Sequence, residues 1–116
     1  MFSKSERYRY DYQQMREPAV NGALRARRSV WNINTQPNDI AHYAVFPPAL
    51  IEPCIHATSS PGDFVLDPFF GSGTVGLVCQ KLERNFVGIE LNPDYVRLAI
   101  QRLDSILHPM QIQKAA

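Results

Sequence analysis

The stretch "VLDPFFGSGTVGLVCQKLERNFVGIEL" (Val65–Leu91) carries the fold. It begins with an apolar run, Phe64–Asp67, that reads as a buried parallel-type strand, apolar on both faces and ended by Pro68. Gly71, Gly73 and Gly76 follow in the pattern G-x-G-x-x-G. The spacing predicts a helix over about Thr74–Arg84, with Val75, Val78, Cys79 and Leu82 on one face. "FVGIEL" (Phe86–Leu91) reads as the next strand, and Asn92-Pro93 as the start of a second helix. Val96, Ala99, Ile100, Leu103 and Leu107 would line its inner face, and Pro109 would stop it. The class is therefore α/β, and the core a βαβα unit of a doubly wound sheet.

A glycine triplet alone is weak evidence of a ligand. Here it follows a strand, opens a helix, and is answered by Glu90, 19 residues after Gly71, at the end of the next strand. Glycines let the backbone turn tightly and approach a ligand. A helix start offers free N–H donors. A carboxylate at the second strand end can accept from both hydroxyls of a ribose. Asp67, just before the glycines, sets the sign of the ligand. It sits badly beside a pyrophosphate and well beside an ammonium, which favours S-adenosylmethionine over a nicotinamide dinucleotide.

The flanks are different in character. In a chain of 116 residues with formal net charge +1, residues 1–28 hold seven basic side chains against three acidic ones. The remainder holds five basic against eight acidic. Tyr8, Tyr10 and Tyr12 are interleaved with this basic arm. Charge with aromatic rings is suited to nucleic acid, and a solvated surface segment is the plainer alternative. The arm reads as extended, broken at Pro18 and Gly22, with a short helix near Asp11–Arg16. "SVWNINT" (Ser29–Thr35) reads as a short strand or extended segment. Leu50, Ile51, Cys54 and Ile55 have helical spacing after Pro48, but Pro53 predicts a kinked or short helix. The organisation expected is arm and lead-in over 1–40, cofactor-binding part over 41–108, and tail over 109–116.

Cys54 and Cys79 make neither a CxxC nor a zinc spacing and read as buried hydrophobes; no metal site is expected. No signal peptide and no apolar run of membrane-spanning length occurs, so the expected compartment is the cytoplasm, with no membrane partner.

"LDPFFGSGT" (Leu66–Thr74) followed by "GIELNPDY" (Gly88–Tyr95) resembles the C-terminal part of bacterial and phage DNA amino-methyltransferases of the circularly permuted class. These enzymes, which include those of restriction-modification systems, methylate the exocyclic nitrogen of adenine (N6) or cytosine (N4). "HYAVFPPALIEPCI" resembles the segment that precedes the glycine turn in that class, and "RRSVWNINTQP" its lead-in. The resemblance implies a partial Rossmann-like S-adenosylmethionine-dependent fold, with Asp67 and Phe69 flanking the cofactor at the strand end. Gly71, Ser72, Gly73 and Thr74 would supply the turn and the polar contacts to the methionine carboxylate. Glu90 would take the ribose and Leu91 cover the adenine. His42, Ala44, Phe46 and Pro47 would line the methionine side, though His42 reads equally as a packed histidine and Phe46 as core. Arg25, Arg27 and Arg28 are the candidates for contact with DNA phosphates.

The family's Asp/Asn/Ser-Pro-Pro-Tyr/Phe motif, which holds the flipped base, has no match: "FPPAL" (Phe46–Leu50) lacks the polar residue and the aromatic. No catalytic residue is therefore assigned. The expectation is a cofactor-binding C-terminal portion, inactive alone, whose missing motif and target-recognition region lie on a separate chain or are lost. Two other readings stay open: a non-catalytic nucleotide-binding module acting through a partner protein, and a piece of a dinucleotide oxidoreductase, which Asp67 disfavours.

Overall fold

The computed structural model describes residues 6–35 and 45–107. Eight elements follow in order. A 3-10 turn, Tyr12–Met15, leads into strand β1 (Arg16–Pro18) and strand β2 (Leu24–Ala26). Helix α1 (Pro48–Thr58) precedes strand β3 (Phe64–Asp67), helix α2 (Thr74–Lys81), strand β4 (Asn85–Gly88) and helix α3 (Pro93–Leu107).

β3 and β4 pair in parallel, with Phe64 opposite Asn85 and Asp67 opposite Gly88. The connection through α2 makes the βαβ crossover, and α3 completes the βαβα unit the spacing predicts. Side chains alternate across a strand, so Val65 and Phe86 share one face and Leu66 and Val87 the other. The first face packs on Ile55, Val75, Val78, Cys79 and Leu82, which form the core with Ile51 beside them. The second face is bare: Phe64 is 75% exposed and Leu66 64%. The expectation of strands buried on both faces is thus corrected, because the helices that pack on the sheet core do so from one side.

α1 runs through Pro53 without a break, so the proline does not cut the helix short. A mid-helix proline costs about 3 kcal/mol or more. Burial of Ile55 and Ala57 in the same helix offsets it, at about 1.5–3 kcal/mol for an isoleucine side chain with a smaller contribution from the alanine. The helix closes at Ser59, whose hydroxyl and backbone carbonyl accept from the buried Arg84 guanidinium at 3.2 and 2.7 Å.

The N-terminal arm is a hairpin rather than an extended loop. β1 and β2 pair antiparallel, Glu17 opposite Arg25. The loop is Val20–Gly22, closed by the Ala19 N–H on the Ala23 carbonyl at 2.8 Å and the Gly22 N–H on the Ala19 carbonyl at 2.9 Å; Asn21 Oδ1 accepts from the Ala23 N–H at 3.2 Å, and Gly22 takes the left-handed position at φ +79°. The Asn21-Gly22 dipeptide is a strong hairpin signal. Of the two alternatives for Ser29–Thr35, a short strand or an extended segment, the strand is not formed; Trp31 donates from Nε1 to the Arg28 carbonyl at 2.8 Å. The short helix expected near Asp11–Arg16 is the 3-10 turn, capped by Asp11, whose Oδ1 accepts from the Gln13 N–H at 3.0 Å. The Asp11 N–H donates to the Ala57 carbonyl at 2.7 Å and ties the arm to the end of α1.

Candidate functional site

The site grows from the carboxyl ends of two parallel strands, where open α/β sheets bind ligands. Asp67 ends β3, and its Oδ1 accepts from the Phe69 N–H at 3.0 Å, folding the chain over Pro68. The two phenylalanines then part. Phe69 is 88% exposed, while Phe70 turns inward with its N–H on the Ile89 carbonyl at 2.9 Å.

The Phe70 ring explains much of the glycine pattern. A Cβ at Gly88 would lie 2.4 Å from its Cγ, one at Gly76 2.7 Å from its Cζ, and one at Gly73 3.4 Å from its Cε1. Three glycines thus form a slot for one ring, which stacks on Phe86 at 5.6 Å between centroids. Gly71 is different. It sits at φ +54°, and a Cβ there would meet nothing nearer than the Phe69 carbonyl oxygen at 4.0 Å. Its glycine requirement is conformational, and the space beside it is open to a ligand.

Glu90 closes the turn. Its Oε2 accepts from the Gly71 N–H at 2.8 Å and its Oε1 from the Asn92 N–H at 2.8 Å. Hydrogen bonds from Asn92 first and Gly71 second hold its carboxyl below the ordinary carboxylate range. The carboxylate is fixed in orientation, and each oxygen keeps a lone pair for a hydroxyl. Asn92 in turn caps α3, its Oδ1 accepting from the Asp94 N–H at 2.9 Å.

Ser72 and Thr74 are buried, at 8% and 3% exposure. Their hydroxyls face Arg102 of α3, a residue that motif reading did not single out. Its Nη1 donates to the Ser72 carbonyl at 2.6 Å and the Ser72 hydroxyl at 2.9 Å, with Thr74 Oγ1 at 3.4 Å. Burial lowers its pKa from the ordinary guanidinium value. The clamp turns the polar side chains of the loop inward and leaves the backbone N–H groups at the start of α2 as its donors. Nothing local marks Arg102: the partners lie 30 residues away.

Asp67, Phe69, Gly71, Ser72, Gly73, Thr74 and Glu90 therefore come together at one sheet edge, with Leu91 beside them, 96% exposed. Pro47 and the exposed Phe46 stand at the start of α1, joined to this cluster by none of the hydrogen bonds that knit the turn. His42 and Ala44 lie outside the described residues. In the arm, Arg25 is paired across the hairpin with Glu17, Nη2 to Oε1 at 2.8 Å. Arg27 stacks over Trp31 at 4.8 Å, and Arg28 is exposed. Among the described residues no cluster of His, Cys, Asp and Glu could hold a metal ion, and no helix is long and apolar enough to cross a membrane.

Parallel strands joined through a glycine turn and a helix, with a fixed acid at the second strand's end, define a Rossmann-like βαβα unit. The chain belongs to the DNA methylase family of N6/N4 amino-methyltransferases, whose family model matches residues 1–101. It is 68% identical over 103 residues to the type II methyltransferase M.XycI of Xanthomonas campestris pv. cyanopsidis. It is 59% identical over 103 residues to M.Cfr9I of Citrobacter freundii. Each match covers 89% of this chain and 34% of the relative, so the chain spans about a third of their length. Among solved structures, the M1.HpyAVI–SAM complex matches 84% of this chain and 44% of that one, at TM-score 0.59 and 37% identity. The cytosine-N4-specific PvuII DNA methyltransferase matches 86% and 37%, at TM-score 0.63 and 28% identity.

Proposed function

We propose that this chain is the S-adenosylmethionine-binding portion of a DNA amino-methyltransferase acting on adenine N6 or cytosine N4. The observation that carries the proposal is Glu90, held by two backbone N–H groups beside the open, left-handed Gly71. A carboxylate so fixed meets ribose hydroxyls without reorganising. Asp67 answers the ammonium of the methionine part, and the first turn of α2 answers its carboxylate. Phe69 and Leu91, both exposed, flank the adenine. The similarity to the M1.HpyAVI–SAM complex supports the choice of ligand.

Bound there, the cofactor supplies an electrophilic methyl group. This chain's contribution is to bind and orient it, and to hold the reacting carbon at the sheet edge. No match to the Asp/Asn/Ser-Pro-Pro-Tyr/Phe motif that receives the base lies within these 116 residues, so what they contribute to methyl transfer is the cofactor's side of the reaction. The bare sheet face of Phe64, Leu66, Val87 and Ile89 supports a further layer of polypeptide on that side of the sheet. The compartment that fits a DNA partner is the cytoplasm.

The test is calorimetric titration of the chain with S-adenosylmethionine, followed by incubation with DNA and methyl-labelled cofactor. Saturable binding that Glu90→Gln weakens at least tenfold, without turnover, is the expected result. Turnover by these 116 residues alone would overturn the assignment of cofactor binding without base binding. Absence of any binding would leave the non-catalytic interaction module as the better reading.

A further inference from the structure

A second concavity lies away from the glycine turn, in the N-terminal arm. It has a volume of about 630 Å³ and is walled by Tyr10, Tyr12, Trp31, Arg16, Arg27 and Arg28, with no acidic side chain in the lining. That volume is typical of a small-ligand pocket. The hairpin builds it: β2 runs out through Ala26 into Arg27 and Arg28, and the Arg27 N–H on the Met15 carbonyl at 3.0 Å holds that exit against the 3-10 turn carrying Tyr12.

The three arginines have different duties. Arg16 is a strut, its guanidinium donating to Gln13 Oε1 at 3.1 Å and to the Leu24 carbonyl. Arg27 lies on the Trp31 ring, and its Nε is buried with no hydrogen-bond acceptor. Arg28 is exposed and makes no ion pair among the described residues. Tyr10 and Tyr12 are also exposed. The cleft therefore offers the exposed aromatic faces of Tyr10 and Tyr12 and one open cation, Arg28, which are the requirements of one nucleotide: a ring for the base and an arginine for the phosphate.

The structure assigns this cleft to an unpaired nucleotide of a DNA strand, stacked on Tyr12 or Tyr10 with its phosphate at Arg28. A duplex hides its base faces, so a paired base gains nothing from these rings. The assignment extends the DNA partner proposed above but does not depend on the cofactor site, which shares none of these residues.

Trp31 is the one tryptophan of the chain, so its emission reports on the cleft directly. The experiment titrates the full chain with a short single-stranded thymidine oligonucleotide, an abasic oligomer of equal length, and a duplex. Saturable quenching by the thymidine strand is expected, with binding of the abasic oligomer weaker by about tenfold or more, as loss of one stacked base implies. Arg28→Gln should flatten the salt dependence of binding by about 0.7 in log–log slope, the share of one phosphate contact on a single strand. Tyr12→Leu should weaken binding of the thymidine strand and leave that of the abasic oligomer unchanged. Equal quenching by both strands, or none by either, overturns the assignment, and this comparison needs no variant. Measuring S-adenosylmethionine binding in the same samples separates failure here from failure at Glu90.

Discussion

Gly88→Ala tests whether the Phe70 ring organises the glycine turn. The new methyl would stand 2.4, 2.5 and 2.7 Å from Phe70 Cγ, Cδ2 and Cδ1. Carbon atoms rest at about 3.5–4.0 Å, so the ring must retreat by roughly 1 Å. Retreat is blocked along the ring, because Cζ already occupies the space of an absent Gly76 side chain, and the ring is stacked on Phe86. The backbone is also held, through the Phe70 N–H on the Ile89 carbonyl. Overpacking costs about 1–3 kcal/mol, and such constraint points to the upper end. Replacing a strand glycine returns about 0.5–1 kcal/mol. The net is about 2 kcal/mol, or a fall in Tm of roughly 8–16 °C for a domain of this size. Urea and thermal denaturation measure it. A double-mutant cycle with Phe70→Leu should show relief, the pair being less destabilised than the separate losses added together. An unchanged midpoint in Gly88→Ala, or strict additivity, would refute the slot.

Arg102→Met removes the clamp on the loop and strands the Ser72 carbonyl and buried hydroxyls. The expected cost is about 2–3 kcal/mol in urea denaturation, with S-adenosylmethionine affinity falling as well, and Arg102→Lys recovering only part of either. Glu90, whose carboxyl is held low by the Asn92 and Gly71 N–H groups, stabilises the fold above its unfolded value of 4.5 and loses that contribution as pH falls through the folded value. Urea midpoints between roughly pH 3 and 7 should therefore decline more steeply on the acid side in the wild type than in Glu90→Gln. Burial raises both thiol pKa values, and Cys79 is fully enclosed while Cys54 is half-buried. Disulfide-reagent labelling should reach Cys54 first and Cys79 only on unfolding; equal rates would contradict the core described here.

What could be read in advance was local. The β3–turn–α2–β4–α3 order follows from apolar runs, glycines at positive φ and the Asn92-Pro93 start. The meeting of Gly71 with Glu90 followed from their spacing. The hairpin has no signature in alternation, although Asn21-Gly22 marks a turn, because its strands carry charges instead of alternating apolar residues. The split between Phe69 and Phe70 depends on three glycines, one of them beyond α2, and no single-strand pattern contains it. Arg102 reaches the loop only through the packing of α3, where Ala99 and Leu103 approach Gly73 and Gly76. Pro53 does not shorten α1 because its cost is local and its compensation lies in the core. The tyrosines and arginines of the arm were visible as composition, but a cleft requires the hairpin.

The uncovered side of β3 and β4 has a practical consequence. Environment-sensitive dyes seek the kind of contiguous apolar surface that Phe64, Leu66, Val87 and Ile89 present. The native chain should therefore brighten such a dye before any heating, and its dye-monitored melting curve should begin high and change little. Backbone signals, such as amide circular dichroism, are the sounder gauge of when this molecule comes apart.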